Sequence, residues 1–278
     1  MISQAMFRPL LISLLATVTF ASAAESSASA PAETPAELAN DGVAEFNASL
    51  KSWDAAGFEK AAELFGKASK IEPTSVTYKY WEGISQFHRM LQIESRPGGK
   101  ESQHAQSALE AAMEAFDQAL ELEADHAECH ALLATLFGMK IHSNVLNAVR
   151  YGPMLQQHQK EAVRLGANNP RVKYLLGVGL LHTAKDDDAK RKALETLLAA
   201  EKLFGEEAAQ SGSPLSPRWG SVSCRTFIGV AYKMLGRNAE AIDYFNRALA
   251  EHPSDHVARQ ELSALLAKQQ TTKEPGKP

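Results

Sequence analysis

The chain has 278 residues, 45% hydrophobic and 22% charged, which is ordinary globular composition with ample apolar material for a core. Its formal net charge of −4 and the lack of any Lys/Arg cluster argue against a nucleic-acid surface. Two cysteines in a chain of this length form no disulfide framework.

Arg8 supplies a weakly positive start, Pro9 to Phe20 is an apolar run, and Ala21-Ser22-Ala23 has the A-x-A form of a cleavage site. Residues 1–23 therefore read as a signal peptide cleaved after Ala23, which makes the protein periplasmic or secreted with no stable membrane span after cleavage; the alternative is an uncleaved N-terminal anchor. Residues 24–40 are rich in Ala, Ser, Pro and Glu and are expected to be a flexible leader.

From residue 41 onward, apolar residues recur at helical spacing. Val43, Phe46, Leu50 and Trp53 mark a first helix, Ala55-Ala56-Gly57 a turn, and Ala61, Phe65, Ala68 and Pro73 a second helix and its end. A second pair carries Tyr80, Trp81, Gly83 and Phe87, then Ala112, Phe116 and Ala119, around an insertion at 92–107 centred on Pro97-Gly98-Gly99. The third has Leu133, Ala134 and Phe137, followed by an irregular helix over Val145–Leu165 that Gly152-Pro153 should kink or interrupt. The fourth has Tyr174, Leu176, Gly177 and Leu180, an acidic cap at Asp186-Asp187-Asp188, then Ala193, Leu197 and Ala200. A non-helical insertion at 205–220 precedes the fifth pair, in which Ile228, Gly229 and Tyr232 face Ala241, Phe245 and Ala248 and Pro253 closes the helix. Val257, Leu262, Leu265 and Leu266 predict a solvating end helix, and 269–278 a disordered tail.

The frame Ala-Phe-Ala-Pro occurs with identical spacing at Ala61/Phe65/Ala68/Pro73 and Ala241/Phe245/Ala248/Pro253. With Gly229 and Tyr232 ahead of it, the pattern resembles the tetratricopeptide repeat (TPR), in which small residues let antiparallel helices approach and aromatic residues plug the gap. Arg225 stands where the repeat usually has Trp. The resemblance covers residues 41–268 and implies an all-α, right-handed α-solenoid of about five helix pairs with a C-terminal capping helix, its concave face lined by first helices. More loosely, the chain resembles exported bacterial TPR proteins. The implied function is a scaffold or adaptor that binds a protein or peptide partner in the concave groove. The alternative is a periplasmic, transporter-associated binder of a small apolar ligand.

Sites of chemistry are sparse. His126, Cys129 and His130 have partial metal spacing but lack a fourth ligand nearby, and the three aspartates lack the alternation and glycine of a calcium loop. No nucleophile elbow or cysteine-protease signature occurs, so no catalytic residue, cofactor or metal is expected and the chain is not read as an enzyme. Cys129 and Cys224 each stand five residues before the small-residue slot of their repeat, Ala134 and Gly229, so repeat stacking should keep them apart.

Aligning first helices on that slot yields a row beside the core face: Tyr80, Ile84 and Phe87; Ala131, Thr135 and Gly138; Tyr174, Val178 and Leu181; Thr226, Val230 and Lys233. Repeat one is aligned as Phe46, Leu50 and Trp53. The row is apolar with small residues in the middle, and is expected to form a groove that holds a ligand between Tyr80/Phe87 and Tyr174 unless an insertion, the Trp219 loop or the terminal helix fills it. Leucine at Gly138 is expected to block that space.

Overall fold

The computed structural model describes residues 33–100, 102–141 and 145–273. These fold into antiparallel helix pairs: α1 (Pro35–Ser52) with α2 (Ala55–Ile71), α3 (Val76–Glu94) with α4 (Gln103–Leu122), and α5 (Ala127–Ile141) with α6 (Val145–Leu165). Then come α7 (Pro170–Thr183) with α8 (Asp187–Ala208), α9 (Ser221–Met234) with α10 (Asn238–Glu251), and the capping helix α11 (His256–Lys273). The result is the all-α, right-handed solenoid of TPR type that the repeats predict.

Each of four pairs is held by one close approach. A Cβ on Gly42, Gly83 or Gly229 would lie 2.8, 2.5 or 2.6 Å from the ring of Phe65, Phe116 or Phe245, and one on Gly177 would lie 2.8 Å from Leu197. Such distances leave no room for a methyl group, so glycine is what lets the second helix lay its large side chain against the first. This places the slot of repeat one at Gly42 and corrects its alignment. The residues equivalent to Tyr80, Ile84 and Phe87 are Ala39, Val43 and Phe46, two turns before the predicted set. Ser49, which the predicted alignment puts in the slot, instead meets Gly57 at the start of α2, where an added Cβ would collide with its Oγ.

The termini also differ from expectation. Thr34 and Glu37 form a reciprocal capping box with Pro35 at the first helical position, so α1 begins inside the stretch read as a flexible leader. At the other end α11 runs to Lys273, so residues 269–273 continue a helix where a disordered tail is expected. Ala55–Gly57 form the first turn of α2; the reversal is made by Trp53, in the left-handed region at φ 55°, and by Asp54, whose carboxylate accepts from the amides of Ala56 and Gly57. Both insertions are shorter than predicted, because α3 reaches Glu94, α4 starts at Gln103 and α8 continues to Ala208. The chain from Val145 to Leu165 is one helix with Pro153 inside it. Asp186 caps α8 by accepting from Ala189 N at 2.8 Å.

Neighbouring first helices touch across the array, α5 with α7 and α7 with α9, which makes them its inner layer. The two ends of the array also meet. The Trp53 indole stacks on His256 at 5.5 Å between centroids, and Ser254 donates its hydroxyl to the Lys51 carbonyl. Trp53 donates to Ser95 Oγ at 3.2 Å and accepts at its carbonyl from Gln92 at 3.0 Å, contacts that hold a bulky residue in the left-handed conformation. Cys129 and Cys224 are free and buried in α5 and α9.

Candidate inner-face binding site

Two first helices, α3 and α7, supply the predicted aromatic residues, and a segment of the same chain occupies the space between them. Tyr80, Ile84 and Phe87 on α3 and Tyr174 and Leu181 on α7 are buried. After α8 the chain crosses this inner face, and Trp219 is 3% exposed. Its indole meets His88 edge-on at 5.5 Å and Tyr174 at 6.5 Å, and its Nε1–H donates to Tyr80 Oη at 2.7 Å. Four residues earlier, the carbonyl of Leu215 accepts from Trp81 Nε1 at 2.9 Å. The Arg218 guanidinium donates to the carbonyls of Glu207 at 2.6 Å and Gln210 at 2.8 Å, closing the turn that follows α8. Trp219 is thus an internal anchor of the array, and the Trp219 loop fills the space between the aromatic residues.

Behind the indole lies a chain of buried polar groups. Tyr80 accepts from Trp219 and donates its own proton to the Glu128 carboxylate. Glu128 also accepts from Asn169 Nδ2 and Arg171 Nε, both at 2.7 Å, and Arg171 forks onto Glu207 at 2.9 and 2.5 Å. Burial together with the Glu128 charge pushes the Tyr80 phenol well above its ordinary value, so it remains a donor. Burial works against the charge on Arg171, but its bonds to Glu207 and the Glu128 charge outweigh it and hold the guanidinium protonated. The neighbouring His88 is pushed down to about 4 by burial among Phe46, Phe58 and Phe87, and its Nδ1–H donates to the Ile84 carbonyl at 3.0 Å. At neutral pH it is an uncharged aromatic wall. Burial likewise raises the Tyr174 phenol.

The remaining row residues have other neighbours. Ala131 is buried, and Thr135 turns its hydroxyl back onto the Ala131 carbonyl at 2.9 Å. A Cβ on Gly138 would meet Leu155 of α6 at 3.5 Å, so leucine there would enter the α5–α6 contact instead of blocking the aromatic space. Val178 and Val230 are half-buried against the core. Thr226 donates to Asp255 at 2.6 Å and Lys233 pairs with Glu261, so the repeat-five end of the row is spent on holding α11.

The partial metal motif is taken apart by its hydrogen bonds. His126 Nδ1 accepts from Cys129 N at 3.3 Å, while His130 reaches the Ala124 carbonyl and His158 Nδ1, each at 2.9 Å. Among the described residues no group of three His, Cys, Asp or Glu side chains is placed to hold a metal. A cleft of about 780 Å³ opens at the Glu207 end of this polar chain, lined by residues that include Phe204, Glu207, Arg218, Arg225, Arg247 and Glu251.

Sequence reasoning missed Glu128, Arg171, Glu207 and His88. A signal for two of them exists: Glu128 and Arg171 each stand six residues before the slot of their repeat, Ala134 and Gly177. Opposite charges in one slot of adjacent stacked repeats face each other.

Solved TPR structures share this architecture. The TPR protein TTC0263 of Thermus thermophilus superposes with a TM-score of 0.58 at 16% identity, over 84% of this chain and 100% of that one. The human IFIT1 dimer with PPP-AAAA gives 0.59 at 19% identity, over 87% of this chain and 48% of IFIT1. The class is therefore a TPR-like α-solenoid. Within it, residues 84–270 match the family model "Regulator of microtubule dynamics protein 1-3", and the chain belongs to that family. It is 29% identical over 143 residues to bovine (Bos taurus) regulator of microtubule dynamics protein 3, a match that covers 49% of this chain and 30% of the bovine protein. Among the described residues no helix is long and apolar enough to cross a membrane.

Proposed function

We propose that this chain is an exported protein-interaction scaffold whose inner face holds an aromatic-anchored segment of a partner protein. In the structure its own residues 215–219 occupy that seat, through the Leu215 carbonyl and the Trp219 indole. The carrying observation is the way the seat is filled: an indole among Tyr80, His88 and Tyr174, and a main-chain carbonyl accepting from Trp81. A bond to a backbone carbonyl favours a peptide over a small apolar molecule. Just before it reaches Trp219 the segment makes a turn, with Ser216 N donating to the Ser213 carbonyl at 2.9 Å, and Leu215 lies within that turn. The bovine relative's name refers to a protein assembly, which supports a protein as the class of partner.

The test is calorimetric titration of a synthetic peptide of residues 211–220 into the full chain carrying Trp219→Ala, kept well below its melting temperature. Saturable binding is expected, lost when the peptide's tryptophan is replaced by alanine. The unsubstituted protein should bind the peptide ~10-fold or more weakly, because its own segment competes at high effective concentration. A folded Trp219→Ala chain that ignores the peptide would remove the reading.

Export rests on the N-terminal segment, which lies outside the described residues. Its support is the sequence itself: Arg8, the apolar run to Phe20 and the A-x-A site at Ala21–Ala23. Protein recovered from its own host should begin at or near Ala24, and a mature product that still begins at Met1 would contradict export.

A further inference from the structure

Helix α6 is unlike the other second helices of the array. Ala162 is its one fully buried residue among those described, and it packs along α5 with little contact to α7. The three most exposed large apolar side chains of the described residues all lie in its first two turns: Val145 at 77%, Leu146 at 80% and Val149 at 74%. Exposed apolar stripes of this kind mark contact surfaces. The charge around the stripe is equally local. From Cys129 to Lys160 the sequence has no Asp or Glu but carries Lys140, Arg150 and Lys160, a basic stretch in a chain of net charge −4. Lys140 and Arg150 both lie over the Tyr151 ring, at 5.3 and 5.1 Å.

We propose that the N-terminal half of α6 docks on an anionic lipid bilayer surface, with Val145, Leu146 and Val149 entering the headgroup–acyl boundary and Lys140 and Arg150 facing lipid phosphates. Apolar residues on one face with cations beside them make up the composition of an interfacial helix; Tyr151 stacks on Phe137 of α5 and carries the two cations from behind. The stripe is a ridge on a helix and not a concavity, a shape that meets a plane better than it encloses a peptide. This surface lies apart from the aromatic seat and does not depend on how that seat is read.

Flotation of the full chain with vesicles tests it. Binding to phosphatidylcholine vesicles containing about one third phosphatidylserine should be roughly 30-fold tighter than to pure phosphatidylcholine, at about 1 kcal/mol for each of the two cations, and should weaken in high salt. The double substitution Val145→Glu, Val149→Glu should lower that binding at least ~10-fold, whereas Leu266→Glu, at another exposed apolar site, should leave it unchanged. As a second measurement, Val149→Cys carrying an environment-sensitive dye should shift its emission to the blue on anionic vesicles; Cys129 and Cys224 are buried and will not compete for label. Equal binding to both vesicle types, no loss in the double variant, or an unshifted dye would overturn the proposal. Failure to bind vesicles, with binding instead to an acidic protein, would overturn it as well.

Discussion

Replacing Trp219 with alanine will destabilise the folded chain by about 3–5 kcal/mol, the cost of truncating a buried aromatic side chain. The indole is 3% exposed and is wedged between residues of α3 and α7 that are far from it in sequence, so the space it leaves can close only by moving helices. The substitution also removes the donor to Tyr80, while Tyr80 keeps its bond to Glu128, so the loss is mainly one of packing. Denaturant unfolding is the measurement. The midpoint should fall substantially, and a loss below about 1 kcal/mol would show that the segment rests on the inner face without contributing to it.

A comparable loss, again about 3–5 kcal/mol, is expected for Arg171→Ala. Arg171 is buried between Glu128 and Glu207, bonded to both, and its removal leaves a 5%-exposed Glu128 facing a second carboxylate without a cation between them. Restoring neutrality should recover much of the loss. The double variant Glu128→Gln, Arg171→Ala no longer buries the Glu128 charge, and should be clearly more stable than Arg171→Ala alone. A double variant as unstable as the single one would mean that Arg171 acts through its packing on Phe204 rather than through its charge.

The helix pairs were legible because they are written locally. Glycines and aromatic residues at fixed spacing specify one helix-on-helix contact, and four of the five pairs close on that contact, in one case with Leu197 in the aromatic place. The ends were misread for an equally local reason. A capping box at Thr34 and Glu37 outweighs the Ala/Ser/Pro composition around it, and averaging that composition hides a four-residue signal. The apolar row was visible, since Tyr80 and Tyr174 do face a common space. Its occupant was not decidable, because Trp219 bonds to a residue 139 positions away and no period links the two. The Glu128–Arg171 pair, 43 residues apart, had a repeat-slot signal that emerges only when charged positions are aligned as carefully as apolar ones.

The most direct test of a self-filled inner face is limited trypsin digestion of the folded full chain, with the cuts mapped by mass spectrometry over time. Arg218 is exposed, but its guanidinium is bonded to the Glu207 and Gln210 carbonyls and the bond after it leads straight into the buried Trp219. Cleavage there requires the segment to leave the face. The account predicts early cutting after Lys100, in the exposed turn between α3 and α4, and protection after Arg218 that disappears in Trp219→Ala. Cutting after Arg218 in the unsubstituted chain as fast as after Lys100 would contradict it.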